Sequence, residues 1–310
     1  MHRRLFWALP LALGAAACGS DDGGTTPTGT QTDPNTLTFT TPKFEVPPGD
    51  SFTCFYTDIV TDRELSVIGG NGIQGPGGHH IVAYYAVEPR EVGYHPCADS
   101  EMVNLRQIAG GAEQSADQNG ILALPEGLGL FVPKGKQIVM QAHYINTTGA
   151  SYEVQDEAIL QTTDPSNIKA YVNYHVTNDD SFEVPPSSPY ERTTLCKLTR
   201  DYQIALALGH MHELGKHYKL ELLDDKGELV DTIIDDEVSL TYSSHPPVQR
   251  WEMDSPLMLK AGQTLRQTCK WDNTTAKAVT FPREMCLSFV YYWPGDGDLD
   301  CAMEEEPATK

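Results

Sequence analysis

Six short runs rich in β-branched and aromatic residues punctuate the chain: HHIVAYYAV, KQIVMQAHYI, IKAYVNYHV, YQIALALGHMH, HYKLELL and LSFVYYW. Alternation with a period of two sends successive side chains to opposite faces, the pattern of a strand with one buried side. Turn-forming clusters separate the runs: GGNGIQGPGG, NTTGAS, DDKGE, WDNTT and PGDGD. The stretch YKLELLDDKGELVDTII reads as a hairpin turning near Asp225, Lys226 and Gly227. No amphipathic helix of three turns stands out, and short helical pieces are expected only around 98–109. Many short strands with regular turns predict an all-β chain of antiparallel sandwiches or barrels. The segment QTTDPSN, 161–167, marks a boundary. Two β-sandwich domains are therefore expected, over 36–165 and 166–303, with a disordered acidic tail at 304–310.

The start of the chain bears on its compartment. Arg3 and Arg4 precede LFWALPLALGAAA, a short apolar stretch ending in small residues at Cys18. It reads as a secretory signal over 1–18, too short to be kept as a membrane span. The small residues before the cysteine also look like a bacterial lipobox, which would make Cys18 a lipidated first residue. Ala15 is a less usual choice than leucine at its place, so a plain signal peptide is the alternative. The expected product is an exported lipoprotein, membrane-anchored at the outer membrane, cell surface or periplasm, on a flexible tether over 19–35. A formal charge of −21, spread along the chain, repels phosphate backbones and excludes nucleic acid as a partner. Apart from Cys18, the cysteines are Cys54, Cys97, Cys196, Cys269, Cys286 and Cys301. An even number in an exported chain suggests three disulfides, and sequence alone permits about fifteen pairings. None sits in a CxxC spacing, which leaves a structural zinc site or a thioredoxin-like motif without support.

Chemistry concentrates in the histidines. His210 and His212 follow the alternating Ile204, Leu206 and Leu208, so a strand would put both on one face, where two imidazoles can chelate a transition metal. Taken alone, a pair of hydrogen-bonded surface histidines explains such a motif as well. His79 and His80 follow QGPGG and open a strand. Neighbours on a regular strand point apart, but after a glycine-rich turn one ring can bind through Nδ1 and the other through Nε2. His143 shares a face with Gln141 and Val139. Met285, in EMC, is ordinarily core packing, yet a thioether beside two imidazoles is a soft ligand set that favours Cu(I) and leaves a position open for dioxygen.

The order HH, then QxHY, then HxH within HMHELG, then EMC before an aromatic strand resembles the copper type II, ascorbate-dependent monooxygenases. That family includes peptidylglycine α-hydroxylating monooxygenase and dopamine β-monooxygenase, and the resemblance covers about 40–303. It implies two coppers per chain, His79, His80 and His143 holding the electron-transfer ion and His210, His212 and Met285 the catalytic one. Gln141 matches a residue near the first copper. The pairings it implies are Cys54–Cys97, Cys196–Cys301 and Cys269–Cys286, the last pinning the backbone beside Met285. The implied fold is two antiparallel jelly-roll-like β-sandwich domains facing a solvent-filled cleft, one copper on each. The implied reaction hydroxylates an activated C–H bond of a small molecule with O2 and ascorbate or another one-electron reductant. His2, His95, His175, His217 and His245 match no ligand position and read as structural or surface residues.

Where peptide-amidating members carry an arginine two residues before HxH, this chain has Leu208; their asparagine and tyrosine after the methionine–cysteine pair are Leu287 and Phe289 here. A carboxylate against leucine and phenylalanine without a cation is strongly disfavoured, which argues against peptidylglycine and for a neutral or aromatic substrate. The same ligands would equally serve a non-catalytic cell-surface protein that stores, scavenges or senses copper. A structural sandwich with coincidental histidines is the third reading.

Overall fold

The computed structural model describes residues 28–305 apart from 34, 112–121, 179–180, 240, 244, 282, 297–298 and 300. The expected signal, Cys18 and the end of the acidic tail lie outside the described residues. The described chain is all β; its helices are the 3-10 turns Asp99–Asn104 and Pro165–Asn167. Of the short helical pieces expected around 98–109, the first survives as such a turn, and Leu105–Gly111 is a strand. No helix among the described residues is long and apolar enough to cross a membrane.

Three large sheets make up the fold. A ten-stranded sheet runs through Thr28–Asp33, Thr36–Thr40, Glu157–Thr163, Leu65–Ile73, Leu128–Val132, Ala170–Asn178, Leu287–Trp293, Tyr202–His210 and Val248–Arg250, with Leu257–Leu259 also on Tyr202–His210. One five-stranded sheet comes from the N-terminal half, in the order Gly93–Pro96, Gly49–Val60, Gln137–Asn146, Gly78–Ala86, Leu105–Gly111. The other comes from the C-terminal half, in the order Leu229–Glu237, Gly215–Leu223, Thr264–Asn273, Ser188–Leu198, Cys301–Glu305. The sandwiches thus share a continuous sheet, joined where Ala170, Tyr171 and Val172 pair in parallel with Leu128, Gly129 and Leu130. The hairpin forms as expected, with Gly227 at φ 85°, the left-handed region glycine tolerates.

Two strands run beyond the expected bounds. Thr28–Asp33, inside the expected tether, pairs antiparallel with Thr36–Thr40, because its threonines suit a strand and the neighbour has a free edge. Cys301–Glu305 pairs with Ser188–Leu198, so the first two residues of the expected tail are strand.

Each sandwich buries its own core. Phe55, Ile81, Met140 and Tyr144 pack in the first, and Tyr218, Trp271, Val290 and Tyr292 in the second. Tyr202–His210 serves both. Its register against Leu287–Trp293 shifts between Ile204 and Leu206, so Ile204 packs in the second core while Leu206 and Leu208 pack in the first. The simple alternation expected of Ile204, Leu206 and Leu208 is broken by this extra residue, which reverses the faces. The disulfides Cys54–Cys97 and Cys269–Cys286 are formed. Cys196 is disulfide-bonded, and Cys301 stands opposite Leu198 on the adjoining strand; the Cys301 side chain lies outside the described residues.

Candidate metal centre

Two adjacent histidines can face one point only if the strand departs from its pleat. Along Gly78–Ala86, His80 pairs with His143 but Gly78 pairs with Tyr144, leaving His79 as an extra residue, a β-bulge. The glycines before it are required sterically. A Cβ on Gly77, at φ +79°, would stand 2.5 Å from the Tyr152 hydroxyl, and one on Gly78 2.4 Å from the Gln74 Cβ. The bulge turns both rings toward His143. His79 Nδ1 lies 3.2 Å from His80 Nδ1 and 3.1 Å from His143 Nδ1. All three rings present Nδ1, where a mixed Nδ1 and Nε2 pair was expected, because the bulge lets neighbouring rings converge through the same atom.

His143 is buried and stacked on Phe52, ring centroids 3.8 Å apart. Its Nε2 lies 2.6 Å from Asp50 Oδ1. A carboxylate only accepts, so the pair keeps the proton on Nε2 and leaves the Nδ1 lone pair free. Burial pushes the Asp50 carboxyl up, but the hydrogen bond from His143 and the charges of His143, His212 and Arg283 hold it below its usual range.

His210 ends its strand opposite Leu287, and His212 follows two residues later, just past the strand end. Their Nε2 atoms stand 3.1 Å apart with the rings nearly perpendicular. The segment Arg283–Cys286 holds His212. The Arg283 carbonyl lies 3.1 Å from His212 Nδ1, which leaves Nε2 free. Glu284, fully buried, accepts from Leu214 N at 2.7 Å, Trp271 Nε1 at 3.0 Å and His212 N at 3.3 Å. Burial raises the Glu284 carboxyl to about 7, the largest influence on it. Met285, between Glu284 and the disulfide-bonded Cys286, lines the same cavity as His210 and His212.

Nitrogens bound about 2.0–2.1 Å from one ion stand roughly 2.9–3.3 Å apart at angles between right and tetrahedral. His79 has that spacing to each of its partners, as does His210 to His212, and the donors of His79, His80 and His143 all lie within 4.8 Å of one another. Burial is also the largest cause holding His79 down to about 4 and His80, His210 and His212 below their usual range, with neighbouring imidazoles adding to it. Neutral rings with free lone pairs are what a cation needs. The donor set fits copper: imidazole suits both oxidation states, and the thioether favours the reduced one.

The two groups face each other at close range across the junction. The rings of His143 and His212 lie 6.3 Å apart, and His79 Nε2 lies 2.9 Å from Ser243 Oγ of the C-terminal half. The shared sheet draws the halves together, and a cavity of about 670 Å³ opens beside the junction. His80, Gln141, Leu208, His210, His212, Met285, Leu287 and Phe289 are among its walls, and no Asp, Glu, Lys or Arg is among the described residues lining it. Gln141 is buried and accepts from the Tyr84 hydroxyl at 3.4 Å. Of the histidines expected outside the ligand set, His95 contacts Glu101 and His217 contacts Asp235, while His2 lies outside the described residues. Asp50, Ser243 and Glu284 are the site residues missed from sequence. Only Glu284 carried a signal there, as the acid beside Met285.

No curated protein matches the chain. Among solved structures, the infectious bursal disease virus VP2 subviral particle is 12% identical, with 90% of this chain and 78% of that chain covered and a TM-score of 0.22. A point mutant of Bacillus subtilis oxalate decarboxylase is 6% identical, with 87% and 71% covered and a TM-score of 0.16. Likenesses this weak bear on neither fold nor function. Residues 170–309, which carry His210, His212 and Met285, match the family model described as the C-terminal domain of copper type II ascorbate-dependent monooxygenases.

Proposed function

We propose that the chain is a copper-dependent monooxygenase that hydroxylates an activated C–H bond of a neutral, largely apolar small molecule. The observation that carries this reading is the convergence of five imidazole nitrogens in two groups, with Met285 lining the same cavity as the second. The family match over 170–309 supports it. His79, His80 and His143 would hold one ion, and His210, His212 and Met285 the other. Copper, when bound, supplies one-electron redox chemistry and an open position for dioxygen. One oxygen atom ends as hydroxyl and the other as water, with two protons and two electrons from ascorbate or another one-electron donor.

The chain's own groups orient and exclude. Asp50 holds the His143 proton on Nε2, and Glu284 fixes the turn carrying His212. Leu208 and Phe289 are cross-strand partners, and with Leu287 they keep water from one wall of the cavity. No cation faces them, so a carboxylate would be desolvated without compensation, whereas an apolar or aromatic ring gains by burial. Gln107 and Gln141 offer neutral hydrogen bonds. We infer an exported lipoprotein anchored through Cys18, with the two-domain division 36–165 and 166–303.

The test is oxygen uptake with copper and ascorbate across a panel of neutral compounds bearing benzylic or similarly activated C–H bonds. Hydroxylated product formed one-for-one with oxygen, and carrying its label, is expected. Tight binding of two coppers with no product from any panel member would favour the storage or scavenging reading.

A further inference from the structure

The three-histidine group belongs to the N-terminal half, but one of its orienting contacts does not. We propose that Ser243 is a positioning residue for that group: its hydroxyl holds the His79 ring with Nδ1 aimed at His80 and His143. The inference rests on the reading above, that the group holds copper.

His79 is in a different position from its neighbour in the site. His143 has a carboxylate behind it, whereas the ring nitrogen of His79 that faces away from the group meets Ser243 Oγ at 2.9 Å. If Nδ1 is to offer a lone pair, the proton must sit on Nε2, and the hydroxyl oxygen can accept it. His79 also lies on a bulge, where the backbone constrains its ring less than a regular ladder would. A contact from behind is therefore what fixes the ring.

Ser243 is well placed for this. It sits in the connection between Leu229–Glu237 and Val248–Arg250, 164 residues along the chain from His79. Its neighbour Tyr242 is buried in the second core, with its hydroxyl on Asp236. Turn bonds from Tyr242 N to the Ser239 carbonyl and from His245 N to the Thr241 carbonyl hold the loop on both sides. The serine is thus presented by the C-terminal core, and the first metal group is completed across the junction. Its copper affinity and potential then depend on how the halves dock, although all three ligands lie in one of them.

The test uses the full-length protein with Ser243→Ala and Ser243→Thr, and His143→Ala to identify which copper belongs to the three-histidine group. Cu(I) affinities are measured by chelator competition, and the Cu(II) form by electron paramagnetic resonance. Loss of an orienting partner typically weakens metal binding by about 10–100-fold. Ser243→Ala should weaken the copper lost in His143→Ala by at least about 10-fold and change its hyperfine pattern. The other copper should be unaffected, and Ser243→Thr, which keeps the hydroxyl, should restore the parent values. Two coppers bound by Ser243→Ala with parental affinity and spectrum would overturn the proposal and leave the two-copper reading standing. Failure of Ser243→Thr to restore them would trace the effect to loop packing and also overturn it. A parent protein that binds no copper would remove both readings together.

Discussion

Gly209, between Leu208 and His210, offers a sharp test of how the strand carrying HMH is seated. A Cβ built there meets Tyr218 Cδ1 and Cε1 at 2.3 Å and Cγ at 2.7 Å. Reaching an ordinary carbon contact of about 3.5 Å requires the ring to retreat by about 1.2 Å. Tyr218 is fully buried, and its hydroxyl meets Ser288 Oγ at 2.6 Å and Gln267 Oε1 at 3.2 Å, so retreat strains or breaks those bonds. Overpacking costs about 1–3 kcal/mol, and each weakened hydrogen bond adds about 1 kcal/mol. Gly209→Ala should therefore lose about 3–5 kcal/mol in urea denaturation of the metal-free protein. Tyr218→Leu should destabilise by itself, but the double variant should lose less than the sum of the two, by roughly 1–3 kcal/mol. An alanine variant within about 1 kcal/mol of the parent, or strictly additive losses, would refute the close approach of ring and strand.

Three further outcomes follow from the two groups. Met285→Ile should abolish hydroxylation while the copper at His79, His80 and His143 persists; normal product formation would remove Met285 from the reacting centre. His143→Ala should lower copper from two per chain to one, measured by metal analysis after dialysis, and unchanged content would remove His143 as a ligand. The metal-free protein should lose stability on acidification. His79 is held down to about 4 against an ordinary 6.5, so the unfolded chain takes up its proton first. That contribution is complete above 6.5 and is lost as pH falls toward 4, amounting to as much as about 3 kcal/mol for this ring. His80, His210 and His212 shift in the same sense. Glu284, raised to about 7, acts oppositely: its contribution is complete below 4.5 and fades as pH rises through 7. Burial also raises Asp156 and Asp236, but below pH 6.5 the four rings outweigh these acids, so the urea midpoint should fall between pH 6.5 and 4; a flat or rising midpoint would contradict the burial of these rings.

What was legible in the sequence is what repeats locally. The period-two runs found the strands, and the DDKG turn found the hairpin, because both depend on residues a few positions apart. What escaped depends on the partner strand. The bulge at His79 exists only relative to His143 and Tyr144, and the shift after Ile204 only relative to Leu287–Trp293. The parallel pairing of Leu128–Val132 with Ala170–Asn178 has no local signature, so the one sheet that runs through both sandwiches was not foreseen. Residue spacing left the cysteine pairings open, and the resemblance narrowed them. Asp50 and Ser243 lay in turn-rich stretches where a lone acid or hydroxyl carries no signal, and their meaning comes from what folding sets 2.6 Å and 2.9 Å away.

The burial of the imidazoles is itself an argument about purpose. His80, His143, His210 and His212 lie in largely water-poor surroundings, yet the ring nitrogens that face one another are not matched to carboxylates or backbone amides. A neutral imidazole has one proton to share, so His79 Nδ1 facing the Nδ1 atoms of both His80 and His143 leaves lone pairs opposed. Unmatched polar atoms in an apolar setting cost free energy, and a packed apolar core of similar volume would avoid that cost. The partners that are present, Asp50 on His143 Nε2, the Arg283 carbonyl on His212 Nδ1 and Ser243 on His79 Nε2, all lie on the far sides of the rings. They point the free nitrogens inward. A cation at each meeting point turns that repulsion into attraction, which a hydrogen-bonded histidine cluster of purely structural use would not require.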